Sequence, residues 1–268
     1  MYIPSFRPHS AAKDWCEPNY YVTYFVAEFI NSISSIVLII LPIVQIILFK
    51  RHNYNVGGRH FHILVILAIM GVMSVYFHLS LSLAGQLGDE ISILLVATLF
   101  SCYYWPTESL PRSFTTRRII QVIYIPLTVI SMLLSTTYPN INHFALPFIC
   151  FPPAIAFSYK FFTNTSYRSD KNVAHTITVV FVSIGFAILA WAIDIHYCNW
   201  LLTFKIYWLH GAWHVLSGYA LAYAIILSVY TEILSINNYN AESEWTLKLY
   251  PESLGILGIP YLAVKKIE

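Results

Sequence analysis

Seven long apolar runs, parted by short polar or charged breaks, dominate the chain: 29–49, 61–84, 85–105, 119–137, 144–162, 173–193 and 206–233. Each comes close to the roughly 20 residues that a helix needs to cross a hydrocarbon core. Membrane-spanning strands would instead alternate apolar and polar positions over segments of about 10 residues, and no such alternation runs along this chain. Helices also satisfy their own backbone hydrogen bonds in lipid. The pattern therefore predicts an all-α polytopic membrane protein, a bundle of seven transmembrane helices. The third run is too short if it begins at Ile91, so it must start near Gly85, which draws Asp89 and Glu90 to the membrane boundary, where a carboxylate needs a partner. Pro126, Pro152 and Pro153 predict kinks that neighbouring helices tolerate. The run 254–264 is too short to span and is broken by Pro260, so it reads as an interfacial segment or a loose tail. The chain divides into an N-terminal segment, 1–28, the bundle, 29–233, and a tail, 234–268. It lacks the internal repeat of a transporter built from two halves.

Composition agrees with this reading: 57% of residues are hydrophobic, 16% aromatic and only 10% charged, far from the balance of a soluble domain. The first run is too long for a cleavable signal peptide and has neither a basic start nor a small-residue cleavage site before it. The placement of basic residues adds orientation. Lys50, Arg51, Arg59, Arg112, Arg117, Arg118, Lys160, Arg168, Lys171, Lys248, Lys265 and Lys266 fall on one side, and Arg7, Lys13 and Lys205 on the other. The positive-inside rule then puts the N-terminus in a lumen or outside the cell and the C-terminus in the cytosol. The last four residues, Lys265-Lys266-Ile267-Glu268, resemble a dilysine retrieval signal of the endoplasmic reticulum, with a basic tail drawn to anionic lipid as the alternative.

Candidate chemistry gathers at the non-cytosolic ends of the second, third and seventh runs. His210 and His214 share one helical face and can grip one ion. His78 lies at the same depth, one turn after Ser74, and Asp89 follows. One membrane histidine alone can simply bond a neighbouring helix. Three at a common depth predict a zinc site with an open position, where the metal polarises a carbonyl and lowers the pKa of water to about 7. Asp89 is placed to move the proton of the attacking water, and Ser74 to donate to a developing oxyanion. A second cluster, Asp14, Glu17 and Asn19 with Glu28 beyond, offers hard oxygen donors of the kind Ca²⁺ takes, though its spacing is not that of an EF-hand and a solvated acidic turn is the plainer reading. Cys16 and Cys198 share the non-cytosolic side, where a disulfide is permitted. Cys102 and Cys150 sit in spans as buried thiols.

With these residues in place, the chain resembles the alkaline ceramidases, seven-helix amidases of the endoplasmic reticulum and Golgi. The matching pieces are Asp14-Trp15-Cys16-Glu17-Pro18-Asn19-Tyr20, Ala27-Glu28-Phe29 with Asn31 and Ser34, Ser74 with Phe77-His78, Asp89-Glu90, Trp191 with Asp194, and His210 with Trp213-His214. The resemblance implies zinc on His78, His210 and His214, with Ser74 and Asp89 completing the catalytic site. It also implies calcium on Asp14, Glu17, Asn19, Glu28 and the backbone oxygen of Trp15, and a disulfide between Cys16 and Cys198. One departure is Gly211-Ala212 between the histidines, where the family often has a bulkier pair, a difference that bears on pocket shape.

The expected function is hydrolysis of the amide bond of ceramide to a sphingoid base and a fatty acid, on a lipid substrate that reaches the site sideways between helices. Membrane lipids are its surroundings, and no nucleic-acid partner is expected. Two alternatives come from other classes. A seven-helix receptor of the progestin and adiponectin receptor type also carries intramembrane histidines, but the N-terminal acidic cluster and the N-terminal topology weigh against it. An ion or metal transporter would continue its polar positions along several helices, whereas here the cytosolic halves read as apolar.

Overall fold

In the computed structural model, residues 5–52, 58–105, 114–164, 169–236, 245–251, 253 and 258–264 are described. Among these residues eight α-helices follow in order: α1 (Phe29–Arg51), α2 (Arg59–Ser80), α3 (Leu83–Tyr104), α4 (Phe114–Ser135), α5 (Asn142–Thr163), α6 (Lys171–His196), the short α7 (Cys198–Thr203) and α8 (Leu209–Ile236). All but α7 are long and apolar enough to cross a membrane. The seven-helix expectation therefore holds, and the chain is a multi-pass membrane protein. The retrieval-like residues at 265–268 lie outside the described residues.

The boundaries depart from the hydropathy pattern where polar side chains intervene. Apolar character continues past Ser80, yet α2 stops there, because Leu81 adopts a left-handed conformation and Ser82 caps α3 by accepting from the Gly85 N–H at 3.1 Å. A β-carbon at Gly85 would lie 2.8 Å from the Phe77 Cα, so the turn is tight enough to need glycine. The consequence is functional: α2 and α3 run antiparallel with His78 and Asp89 at the same end.

Helices α1, α2, α3 and α8 form the tightly packed half of the bundle, with α6 against α8. Their shared core includes Leu38, Leu48, Phe49, Ile63, Leu64, Leu67, Ile225 and Ile226. Helices α4 and α5 lean on α3 through a smaller cluster around Leu94, Ile120, Tyr124 and Ile149. Among the described residues α5 and α6 approach each other at few points, one of them the stacked rings of Phe162 and Phe181, centroids 6.4 Å apart.

Two findings correct the sequence expectation for the end opposite the N-terminus. That half is not wholly apolar: Arg59 pairs with Glu232, His60 bonds Tyr104, and the fully buried Gln45 donates to the Ala222 and Pro260 carbonyls at 3.1 Å each. The tail is not loose either. Strand β1 (Trp245–Tyr250) pairs antiparallel with β2 (Ile259–Val264), and β2 packs on α1 and α8. Pro260 sits within β2, a position open to proline only on an edge strand, and this two-stranded ribbon consists of edges.

Candidate zinc site and the segment that covers it

Helical spacing puts His210 and His214 on one face of α8 and Ser74 and His78 on one face of α2. The fold turns these faces toward each other. The ring centroids of His78, His210 and His214 lie 4.5–5.2 Å apart, and one nitrogen from each falls within 4.8 Å of the others. No other trio of His, Cys, Asp or Glu ligand atoms among the described residues is so gathered. All three imidazoles are buried.

Their hydrogen bonds say which nitrogens are left over. His78 Nδ1 meets Glu28 Oε2 at 2.5 Å, while His78 Nε2 is buried with no partner. A carboxylate on one ring nitrogen fixes the tautomer and leaves the other as a lone pair, as behind metal-bound histidines generally. His214 Nδ1 lies 2.9 Å from Ser34 Oγ and 3.2 Å from Ser35 Oγ. Both hydroxyls have the Asn31 carbonyl to donate to, so both can accept from Nδ1–H, freeing His214 Nε2. His210 Nδ1 is buried and unpartnered. Orphaned nitrogens in a buried trio are costly unless something electrophilic joins them, and the donor set suits zinc.

Asp89 and Ser74 join this trio through hydroxyls. Ser74 lies beside the Asp89 carboxylate, and its oxygen is 3.0 Å from Ser35 Oγ, which in turn reaches His214. Ser35 thus connects the acid, the hydroxyl and a histidine. The sequence reading missed it, because one serine among several on α1 carries no signal until α2 and α8 are laid against it. Glu90 belongs elsewhere: it accepts from Gln86 at 3.0 Å and from Asn142 at 2.7 Å, tying α3 to the start of α5.

The N-terminal segment closes over the trio. The Trp15 indole stacks on His210, centroids 3.6 Å apart and planes 17° off parallel, with the Lys13 ammonium on the indole. Asp194 Oδ2 accepts from the Cys16 N–H at 3.1 Å, and the same carboxylate faces the His210 backbone N–H, one of the donors that the first turn of α8 leaves free. The Cys16–Cys198 disulfide fixes the same segment to α7, as the sequence anticipated.

Asp14, Glu17, Asn19 and Glu28 lie around the N-terminal end of α1, Glu17 and Glu28 buried and Asp14 and Asn19 exposed, with the three carboxylates not drawn together as the histidine nitrogens are. Glu17 accepts from the Ile30 and Asn31 N–H groups at 2.7 and 2.9 Å, doing for α1 what the Glu28 side chain, at the N-cap position, does not; such a cap is typically worth about 1 kcal/mol. Glu28 accepts from Trp15 N at 3.0 Å, and Asn19 donates to Asp14 at 3.0 Å. Burial, with the Asp14 charge beside it, pushes the Glu28 carboxyl up to about 8. Burial also raises Glu17. Two buried acids beside Asp14 and Asn19 offer oxygen donors of the kind calcium prefers.

Gly211, the departure between the histidines, faces α1. A β-carbon there would lie 3.1 Å from Ile30 Cγ2 and Ser34 Oγ. The small residue lets α8 approach α1 closely enough for Ser34 to reach His214.

Comparison with known proteins agrees with this geometry. A family model described as Ceramidase matches residues 7–262. The alkaline ceramidase 1 of Homo sapiens is 31% identical, over 98% of this chain and 98% of its own length. The alkaline ceramidase of Drosophila melanogaster is 29% identical over 97% of this chain and 89% of its own length. That of Caenorhabditis elegans is 28% identical over 96% and 95%.

Proposed function

Because the chain belongs to the ceramidase family, we propose that it hydrolyses the amide bond of ceramide at the buried histidine trio, giving a sphingoid base and a fatty acid. The observation that carries this reading is the convergence of His78, His210 and His214, two of them with orphaned ring nitrogens, with Ser74 and Asp89 beside them. The receptor alternative is not favoured by a ceramidase match along almost the whole chain.

His78, His210 and His214 would hold zinc, which when bound supplies electrophilic polarisation of a carbonyl and a lowered pKa for water. The remaining work falls to the chain's own groups. Glu28 holds the His78 ring and Ser34 and Ser35 hold that of His214, so the ligands are aimed before substrate arrives. Trp15 lies over His210 and keeps bulk water off that side. Asp89 takes the proton of the attacking water and returns it to the departing amine. Ser74, beside Asp89, turns its proton to the amide oxygen as charge grows there. Ceramide reaches the site sideways from the bilayer, between helices. The N-terminal end of the bundle faces away from the cytosol, a reading supported by the lysine and arginine distribution, and the family resemblance makes that side the lumen of the endoplasmic reticulum or Golgi.

The test is turnover of a labelled ceramide by the purified chain in nanodiscs. Release of sphingoid base should stop with a zinc chelator and return on adding zinc. Absence of turnover with both metals supplied would overturn the assignment, and turnover indifferent to chelation would remove zinc from it.

A calcium ion would be held by Asp14, Glu17, Asn19, Glu28 and the Trp15 carbonyl. With no cation bound, burial pushes the Glu28 carboxyl up to about 8, so it holds a proton near neutrality, and the carboxylate that accepts from His78 would form as calcium binds. A cation must displace that proton, so calcium affinity should climb as the pH rises toward 8 and level off above it. Glu28→Gln should flatten this dependence and, by loosening His78, cost about 10–100-fold in zinc affinity or activity. Calcium titrations of activity at pH values on either side of 8 would check both; an unchanged pH dependence in Glu28→Gln would exclude Glu28 as the competing acid.

A further inference from the structure

Ten consecutive residues, Pro18-Asn19-Tyr20-Tyr21-Val22-Thr23-Tyr24-Phe25-Val26-Ala27, carry no charge and lie outside every spanning helix. They form a closed loop. Tyr20 N–H donates to the Ala27 carbonyl at 2.7 Å, Thr23 and Val26 make an antiparallel bridge, and Tyr20 turns the chain at φ 56°. Tyr20 and Ala27 anchor the base in a small core with Phe77 and Leu81. From this base Tyr24 and Phe25 project with 91% and 89% of their surface exposed, and Tyr21 with 70%. A contiguous apolar patch held out by a well-bonded base is an interaction surface.

Its surroundings name the partner. Three residues after Ala27 the chain is already in α1, which turns Ile33, Ile36, Ile40, Ile43 and Ile47 outward at helical spacing, the face that meets lipid. The loop continues that face beyond the helix end. Tyr21 meets Tyr207 edge-on at 6.0 Å, next to the exposed Trp208 just before α8. Tyrosine and tryptophan grouped at the ends of spans mark the depth where headgroups meet acyl chains, since their rings are apolar and their tips polar.

We infer that the loop 20–25 is a membrane-docking element, seated in the interfacial zone of the leaflet at the N-terminal end of the bundle, with the lipid surface itself as its ligand. Lacking charge, it takes zwitterionic and anionic lipid alike. This inference is independent of the catalytic reading.

The experiment places an environment-sensitive nitrobenzoxadiazole fluorophore on Phe25→Cys and, separately, on Tyr24→Cys of the full chain in phosphatidylcholine nanodiscs. Unsubstituted protein taken through the same labelling gives the background from Cys102 and Cys150. The expected result is blue-shifted emission, strong quenching by lipids bearing a nitroxide near the headgroup and weak quenching by aqueous iodide, unchanged when phosphatidylserine is added. Iodide quenching equal to that of labelled Arg7→Cys would overturn the inference. So would protection from iodide only in discs holding two proteins, which would assign the patch to a second copy. Hydroxyl-radical footprinting of the unsubstituted protein in the same discs provides an independent reading: Tyr24 and Phe25 should be oxidised well below the exposed His9, and oxidation equal to that of His9 would again refute docking.

Discussion

His210→Ala should reduce turnover of ceramide to background and strip the protein of zinc in the same step. The reason is the closeness of the trio. Each imidazole is buried, and one nitrogen from each lies within 4.8 Å of the others, so no water-filled margin offers a replacement ligand. Two imidazoles give half of a tetrahedral shell, and without the metal the water that must attack keeps a pKa near 15.7 in place of about 7. The loss should also reach the N-terminal segment, because Trp15 loses the ring it stacks on. Metal analysis of the purified variant beside a ceramide assay is the check; retained zinc with retained turnover would break the assignment of this ligand.

Asp89→Asn should separate the two effects. The amide has the size of the carboxylate and can still accept from Ser74, so the bundle and the metal trio should remain intact. What would disappear is the group proposed to move the proton between water and amine, an effect of about 10²–10⁴-fold on turnover. Zinc content equal to the unsubstituted protein with turnover reduced to that extent is the expected outcome. Near-normal turnover would leave Asp89 as a structural partner of Ser74 and nothing more.

The spans and most of the candidate site could be read from the chain for a simple physical reason: in lipid, every polar side chain in a helix stands against an apolar background. His78, His210, His214 and Asp89 stood out at a common depth, and the fold gathers the three histidines with Asp89 linked to them through Ser74 and Ser35. Helix ends were less legible, since hydropathy does not register that Ser82 caps α3 while Leu81 breaks α2. The residues that aim the ligands were harder still. Ser35 matters only because α2 and α8 both lie against it, and Glu17 looked like an ion ligand yet also caps α1 across a gap in sequence. The β1–β2 ribbon escaped notice because proline in 254–264 argued against regular structure and the partner strand lies in a separate stretch of the tail. Thr246, Lys248 and Tyr250 do alternate with Leu247 and Leu249, the period of a strand, but alternation over six residues is weak without its mate.

That ribbon has a practical side. Gln45 is wholly buried in α1, and its amide relies on the Pro260 carbonyl of β2 as well as on Ala222, while Tyr223 reaches the Gly258 carbonyl at 2.9 Å. Trimming the tail for expression at the end of α8 would strand one N–H of the buried Gln45 amide, a penalty of about 1–3 kcal/mol, and would remove the Gly258 carbonyl that Tyr223 bonds. Shortened forms of this protein should be less thermostable in detergent than the full chain, and fusions are better attached at a point that leaves residues 245–264 whole.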